Sequence, residues 1–138
     1  KGALASKIAA KIYGLKVLQA NVQDNKDNTT RFLVMEKTPK VLIKQEKKVI
    51  TSILFQVRNI PAALYKAMGG FATNNVNMIK LESYMLDGSF EATQFFADIQ
   101  GHPEDSSVKR ALDELKYFTN KLDIIGVYKQ STFRDKYS

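Results

Sequence analysis

The chain has 138 residues, 44% hydrophobic and 25% charged, a composition that fits one globular domain or a small domain with a fragment attached. It has no cysteine and one histidine, His102, which excludes disulfides, thiolate catalysis and cysteine-ligated metals and disfavours multi-histidine metal sites. The net charge is +7, which favours anionic partners, and no apolar run approaches the roughly 18 residues of a membrane helix.

The first 36 residues predict a helix and two short strands. Gly14 is a plausible end for the helix, and the strands are predicted over residues 15–18 and 32–35, on either side of a polar loop. The helix is indicated by apolar residues at helical spacing: Ala3, Leu4, Ala5, Ile8, Ala9 and Ile12. Because so few elements cannot enclose a core, we interpret this segment as an incomplete fragment of a larger α/β domain.

Thr30 and Arg31 stand together just before the second of these strands. An arginine guanidinium pairs with both oxygens of a carboxylate. A threonine hydroxyl beside it can donate a proton to a leaving group on the same anion. Most such pairs at strand starts are structural, so the pattern alone leaves the catalytic and the structural interpretations open.

Residues 37–48 predict a linker that is interrupted by Pro39, and the apolar residues 41–43 permit a short extra strand. Much of the positive charge lies in this segment, at Lys37, Lys40, Lys44, Lys47 and Lys48. No aromatic residue alternates with these lysines, as it would in a platform for single-stranded nucleic acid. We therefore interpret the segment as a solvated connector and predict no nucleic-acid partner.

The residues after the linker predict a β-α-β-β-α-β unit. Alternation indicates strands over residues 51–57, 77–83, 93–99 and 124–128. One helix is expected to begin at Pro61 and end in a left-handed turn at Asn74-Asn75, and another follows Gly101-His102-Pro103. The buried stripes are predicted to be Leu64, Ala67, Met68 and Phe71 in the first helix, and Val108, Ala111, Leu112, Leu115, Phe118 and Leu122 in the second.

This order of elements predicts the α+β class and a ferredoxin-like sandwich, in which two helices cover one face of four antiparallel strands. The incomplete α/β fragment precedes it, and residues 131–138 predict a polar tail. Two helices leave the other face and the sheet edges uncovered. We therefore predict a homodimer or higher homo-oligomer that meets through sheet edges or helix faces across a two-fold axis.

The motifs of both segments resemble the prephenate dehydratase family. The first segment carries Ala5-Ser6, Tyr13-Gly14-Leu15, Asn21 to Asp24 and Asn28-Thr29-Thr30-Arg31-Phe32. The second carries Asn59-Ile60-Pro61-Ala62-Ala63-Leu64 and Lys80-Leu81-Glu82-Ser83, which resemble the ACT domain of that family. The resemblance implies four parts: the C-terminal end of a catalytic domain (1–36), a linker (37–48), an ACT regulatory domain (49–130) and a tail (131–138).

The resemblance also implies an activity for the parent protein, a cytoplasmic enzyme without a membrane partner. Prephenate dehydratases convert prephenate to phenylpyruvate, with loss of water and carbon dioxide, in L-phenylalanine biosynthesis, and no metal or organic cofactor is implied. By this resemblance Thr30 is the proton donor to the leaving hydroxyl, Arg31 holds a substrate carboxylate and Phe32 packs behind them. Asn28 and Ser6 would line the site. Because most of the catalytic domain is absent, the isolated chain is expected to be inactive.

The second site implied by the resemblance binds L-phenylalanine as a feedback effector at ACT dimer interfaces. A helix start offers free N–H groups and a positive dipole end to its carboxylate. The implied residues are Asn59, Pro61, Ala62, Ala63, Leu64, Asn77, Met78, Glu82 and Ser83. The chain departs from the family pattern at Ala62, where glycine is usual, and at Tyr84-Met85, where arginine and proline are usual.

Two alternatives belong to other classes of protein. In a stand-alone regulatory ACT protein, residues 1–35 would have no function. An RNA-recognition module shares the order of elements, but it needs exposed aromatics in a glycine-containing pattern on its third strand. Here that strand contains Phe95, Phe96 and an acidic residue, and it lacks the glycines.

Overall fold

The computed structural model describes residues 1–25, 29–38, 48–58, 60–86 and 92–136. The chain divides into two compact units, Lys1–Met35 and Glu36–Ser138. Asn28, Asn59, the candidate strand at 41–43 and the predicted turn at 87–89 lie outside the described residues. No helix in the described part of the chain is long and apolar enough to cross a membrane.

The first unit contains one short helix, α1 (Lys7–Ile12). It begins later than its apolar pattern predicts because Ser6 is its N-cap, with extended backbone and a side-chain oxygen that accepts the Ala9 N–H at 3.1 Å. The helix ends as predicted near Gly14, whose φ of 62° places it in the left-handed region.

The two strands predicted in the first unit are not formed. Residues 15–18 and 32–35 adopt no strand, and Phe32 and Val34 are 87% and 91% exposed. A strand requires a neighbouring strand that completes its hydrogen bonds. A short apolar run with no such neighbour in its own unit is therefore insufficient, and the strand predictions are wrong for this chain.

The second unit is a two-layer α+β sandwich, as predicted. All strand pairings are antiparallel and the order in the sheet is β2-β3-β1-β4, the arrangement of a ferredoxin-like fold. In chain order the elements are β1 (Val49–Val57), α2 (Ala63–Thr73), β2 (Met78–Met85), β3 (Ala92–Gln100), α3 (Ser106–Phe118), β4 (Thr119–Lys129) and a 3₁₀ helix (Thr132–Lys136).

The core lies between the helices and one face of the sheet. Phe55 of β1 is fully buried and stacks on Phe95 of β3, with ring centroids 5.4 Å apart. The buried stripe predicted for α3 is confirmed for Val108, Ala111, Leu112 and Leu115. Leu122 also packs on this core, but from β4, because that strand begins at Thr119 rather than at residue 124.

Helix α2 begins two residues later than predicted. Pro61 precedes it, and the N-cap is Ala62, whose φ of 57° is left-handed. At the other end Asn75 has a φ of 55°, which confirms the predicted left-handed turn after this helix. An alanine in this conformation costs roughly 1–2 kcal/mol because its Cβ crowds the following carbonyl.

The two glycines of α2 provide a matched test of helix packing. A Cβ at Gly70 would lie 2.8 Å from the Glu114 Cβ, whereas a Cβ at Gly69 meets nothing within 4 Å. We expect Gly70→Ala to lower the free energy of unfolding by about 1–3 kcal/mol through overpacking. We expect Gly69→Ala to raise it by up to about 1 kcal/mol through helix propensity. Urea denaturation measures both, and equal effects of the two substitutions would contradict the close approach of α2 and α3.

Candidate functional site

The candidate catalytic residues of the first unit lie at the surface. Thr30 and Arg31 are exposed, and the Ser6 oxygen already accepts a hydrogen bond within its own helix. Phe32 was expected to pack behind Thr30 and Arg31, but its exposure shows that it does not do so in this unit. The fifth residue, Asn28, lies outside the described residues.

An exposed arginine and threonine can meet an anion, but they cannot by themselves exclude water from it. Electrostatic attraction at a few ångströms is several-fold weaker in water than in a partly buried site. The chemistry expected of Thr30 and Arg31 therefore needs surrounding elements that the described unit does not supply.

The start of α2 is the second candidate site. The Ala63 N–H donates to the Ile60 carbonyl at 3.1 Å, and Ala62 offers no side-chain cap to the first-turn N–H groups that follow, which are the groups that an anion would bind. Ala63 is buried, Leu64 packs on the core, and Pro61 is exposed. The predicted first-turn residues are thus together at one helix end, with small side chains beside the backbone.

The sheet topology separates the other predicted effector residues from this helix start. Helix α2 follows the C-terminal end of β1 and runs to the opposite end of the sheet, a length of about 16 Å for 11 residues. Met78 is the first residue of β2, at that far end, where it pairs with Ile99. The side-chain N–H of Asn77 donates to Gln100 Oε1 at 3.0 Å. One copy of the chain therefore does not bring Asn77 and Met78 to Ala62.

Glu82 and Ser83 lie on opposite faces of β2. Ser83 pairs with Phe95 and so shares the helix-covered face, whereas Glu82 pairs with Phe96 on the open face. The Glu82 carboxylate accepts from Lys80 Nζ at 2.9 Å and from the Tyr84 hydroxyl at 2.8 Å. The Lys80 hydrogen bond, followed by that of Tyr84, lowers the pKa of Glu82, and the bond to Glu82 raises the pKa of Tyr84.

A polar cluster on the open face was missed by the sequence interpretation. Asp98 of β3 is fully buried, and its Oδ1 accepts hydrogen bonds from the Ser52 hydroxyl and, at 3.4 Å, from the Tyr128 hydroxyl. The two hydroxyls are 3.1 Å apart. An acidic residue within an apolar strand, opposite a serine in the partner strand, was the available signal. The cluster joins β1, β3 and β4 by side-chain hydrogen bonds.

Comparisons with known proteins agree with the resemblance that the motifs indicated. Residues 1–40 match the family model described as prephenate dehydratase. A bifunctional N-acyl-homoserine lactone acylase/prephenate dehydratase from Komagataeibacter europaeus is 52% identical over 134 residues, 97% of this chain and 48% of that protein. A bifunctional chorismate mutase/prephenate dehydratase from Aquifex aeolicus is 40% identical over 134 residues, 97% of this chain and 36% of the relative. Residues 1–40 of the chain thus match the prephenate dehydratase family model, and nearly all of the chain is similar to proteins that carry this name.

Solved structures of this family and of a related protein are also similar to the chain. A protein described as GqqA, a quorum quenching acylase, has a TM-score of 0.65 and 54% identity, over 72% of this chain and 51% of that one. A prephenate dehydratase from Arthrobacter aurescens in complex with L-Phe has a TM-score of 0.59 and 26% identity, over 67% of this chain and 30% of that one. These findings confirm the resemblance to prephenate dehydratases that the motifs indicated.

The chain spans about half the length of the Komagataeibacter relative and about a third of the Aquifex relative. The segment that matches the prephenate dehydratase model contains Ser6, Thr30, Arg31 and Phe32. The RNA-recognition alternative finds no support in the third strand, because Phe95 is buried in the core and Lys80 lies over the Phe96 ring, 5.3 Å from its centroid.

Proposed function

We propose that the chain is part of a prephenate dehydratase, which converts prephenate to phenylpyruvate with loss of water and carbon dioxide in L-phenylalanine biosynthesis. The observation that carries this proposal is the similarity of 97% of the chain to two proteins named as prephenate dehydratases. Thr30 and Arg31 lie within the segment that matches the family model. That match also disfavours a stand-alone regulatory protein, and we place the enzyme in the cytoplasm.

In this proposal each candidate residue of the first unit has a separate role toward the substrate. Arg31 binds a carboxylate, Thr30 donates a hydrogen bond and proton to the departing ring hydroxyl, and Phe32 forms an apolar wall. The hydroxyl takes this proton and leaves as water, and Thr30 regains a proton from solvent. At the same time the ring C–C bond to the second carboxylate breaks, carbon dioxide departs, and the electron pair of that bond completes the aromatic ring. Asn28 and Ser6 line the site, where the Ser6 hydroxyl keeps its own proton to donate because its oxygen is the acceptor for Ala9.

A chimera tests this proposal. The portion of the Komagataeibacter relative that precedes the aligned region is joined to Lys1, and phenylpyruvate formation is followed spectroscopically. We expect the chimera to convert prephenate and the 138-residue chain to be inactive, because Thr30 and Arg31 are exposed in its first unit. Phenylpyruvate formation by the pure chain would contradict the division of the active site between the two portions.

We further propose that residues 49–130 are an ACT domain that binds L-phenylalanine between two copies, with residues 37–48 as the linker and 131–138 as the tail. Supporting observations are the start of α2, which has no side-chain cap, and the left-handed backbone of Ala62, since strained backbone is common at ligand-binding turns. Because Asn77 and Met78 lie at the far end of the sheet, a site made from them and from Ala63 needs a second copy.

L-Phenylalanine is expected to raise the melting temperature of this chain. A ligand that binds only the folded dimer stabilises it by about 2.7 kcal/mol at a hundredfold excess over Kd. Differential scanning fluorimetry with D-phenylalanine as the control measures the effect, since the enantiomer cannot present carboxylate, ammonium and ring in the same order. The absence of a shift at millimolar L-phenylalanine would count against the effector site.

The similarity to GqqA and to the bifunctional acylase favours a second candidate activity, hydrolysis of the amide bond of an N-acyl-homoserine lactone. Both relatives exceed 50% identity to this chain, whereas the Aquifex relative is 40% identical. The same chimera tests it, with release of homoserine lactone and fatty acid measured by mass spectrometry. Loss of both activities on Thr30→Ala would indicate a shared site, and loss of only one would indicate separate sites.

A further inference from the structure

Three residues tie the chain's entry into β1 to the segment that follows β4. The Lys48 carbonyl accepts the Gln130 N–H at 2.8 Å, and Lys48 Nζ pairs with Asp135 Oδ1 at 2.8 Å. The same Oδ1 accepts the Gln130 side-chain N–H at 3.2 Å. The start and the end of the sandwich sequence are therefore in contact. We call Lys48, Gln130 and Asp135 the clasp.

The backbone of Lys48 is held in an unusual conformation at this point. Its φ is 59°, a left-handed value that a lysine rarely adopts. Such a conformation persists when surrounding contacts fix it, and the contacts here are those of the clasp. The hydrogen bond from Lys48 also lowers the pKa of Asp135, which keeps the carboxylate charged. The backbone hydrogen bond to Gln130 and the ion pair with Asp135 of the 3₁₀ helix therefore hold Lys48 in this conformation.

The clasp is also connected to the open face of the sheet. Tyr128, two residues before Gln130, donates a hydrogen bond to Asp98. Asp98 pairs across the strands with Lys80, which in turn holds Glu82. Strand pairing, side-chain hydrogen bonds and the backbone from Tyr128 to Gln130 thus connect Glu82, a residue of the motif that resembles the family's effector site, to Lys48 at the start of β1.

We propose that the clasp of Lys48, Gln130 and Asp135 is a conformational device that fixes the backbone of Lys48 at the start of β1 and takes part in transmitting effector binding beyond the sandwich. The regulatory part of this proposal rests on the proposed function. When the clasp is closed, Lys48 keeps its left-handed backbone and the 3₁₀ helix stays on the strand start. When it opens, Lys48 is released from its left-handed conformation.

Hydrogen exchange measured by NMR on the 138-residue chain tests the clasp itself. In Asp135→Asn we expect the Gln130 amide to exchange about two- to fivefold faster, as for the loss of one exposed ion pair. The Gly101 amide, which bonds to the neighbouring Val49 carbonyl at 2.8 Å, is the internal control and should not change. The matched variant Asp123→Asn removes the Lys121 pair of 3.1 Å on β4 and should leave Gln130 unchanged.

Three results would overturn the clasp: an unchanged Gln130 amide, equal acceleration at Gly101, or the same effect from Asp123→Asn. Its regulatory role is tested separately in the chimera, where Asp135→Asn should weaken L-phenylalanine inhibition severalfold without changing the L-phenylalanine melting shift. Unaltered inhibition in the variant would overturn the transmission role. If L-phenylalanine neither binds nor inhibits the unmodified chimera, the proposed effector function and this transmission role both fail, while the exchange experiment still decides whether the clasp exists.

Discussion

Replacing Thr30 by alanine is expected to lower kcat/KM for prephenate in the chimera by about 100- to 10,000-fold, the usual contribution of a positioned proton donor. The free threonine hydroxyl is a weak acid, so its effect must come from a hydrogen bond placed on the departing oxygen and strengthened as negative charge develops there. Because this interaction exists mainly in the transition state, we expect the loss to fall on kcat while KM changes little.

Thr29 supplies the matched control for this experiment. It is the preceding residue, has the same side chain and is also exposed in the first unit. Thr29→Ala should retain activity within about threefold, and both variants should keep the melting temperature of the parent because each removes a few exposed atoms. Equal losses of kcat/KM in the two variants would contradict the assignment of proton donation to Thr30. Full activity in Thr30→Ala would refute that assignment.

Phe55→Ala is expected to give the largest loss of stability, about 3–5 kcal/mol in the free energy of unfolding of the sandwich. Phe55 has no exposed surface and its ring stacks on Phe95 across the central strand pair. Truncation removes the buried ring and leaves a cavity that helices and sheet can fill only in part. Urea denaturation followed by far-UV circular dichroism measures the change, and a loss of that size approaches the whole stability of a small domain.

The same substitution at Phe32 is the control. Its ring is exposed in the first unit, so Phe32→Ala should change the unfolding free energy by less than about 0.5 kcal/mol. If Phe32→Ala proved as costly as Phe55→Ala, the Phe32 ring would have to be packed in solution. In the chimera we also expect Phe32→Ala to raise KM for prephenate while leaving the folding of the protein intact.

The order of elements in the sandwich was predictable because each element has its own period in the sequence. Alternation in residues 51–57 and the helical stripe from Val108 to Leu115 have one physical cause, burial of one face against the same core. The boundaries were less predictable. Strand β4 begins at Thr119 because it pairs with β1 along its length, including Val57 with Thr119, and that pairing is a long-range property.

The two strand predictions that failed depended on a neighbouring strand that the local sequence does not specify. Residues 32–35 have the composition of a strand, but no strand forms among the described residues of the first unit. The predicted effector residues were grouped by their family motifs. In one copy of the chain, however, α2 separates Ala62 from Met78, and Glu82 and Ser83 lie on opposite faces of β2. The roles of all the candidate site residues stay predictions, and Asn28 and Asn59 also lie outside the described residues.

The sequence by itself determined which family the chain resembles, the β-α-β-β-α-β order and the residues of the core, because periodicity and motif spacing are local properties that a single chain carries. Only the tertiary structure decided that Asp98, Ser52 and Tyr128 share one hydrogen-bonded cluster and that Lys48 is paired with Asp135. The physical reason is that these contacts arise from strand order and register, which bring together residues 30 to 87 positions apart.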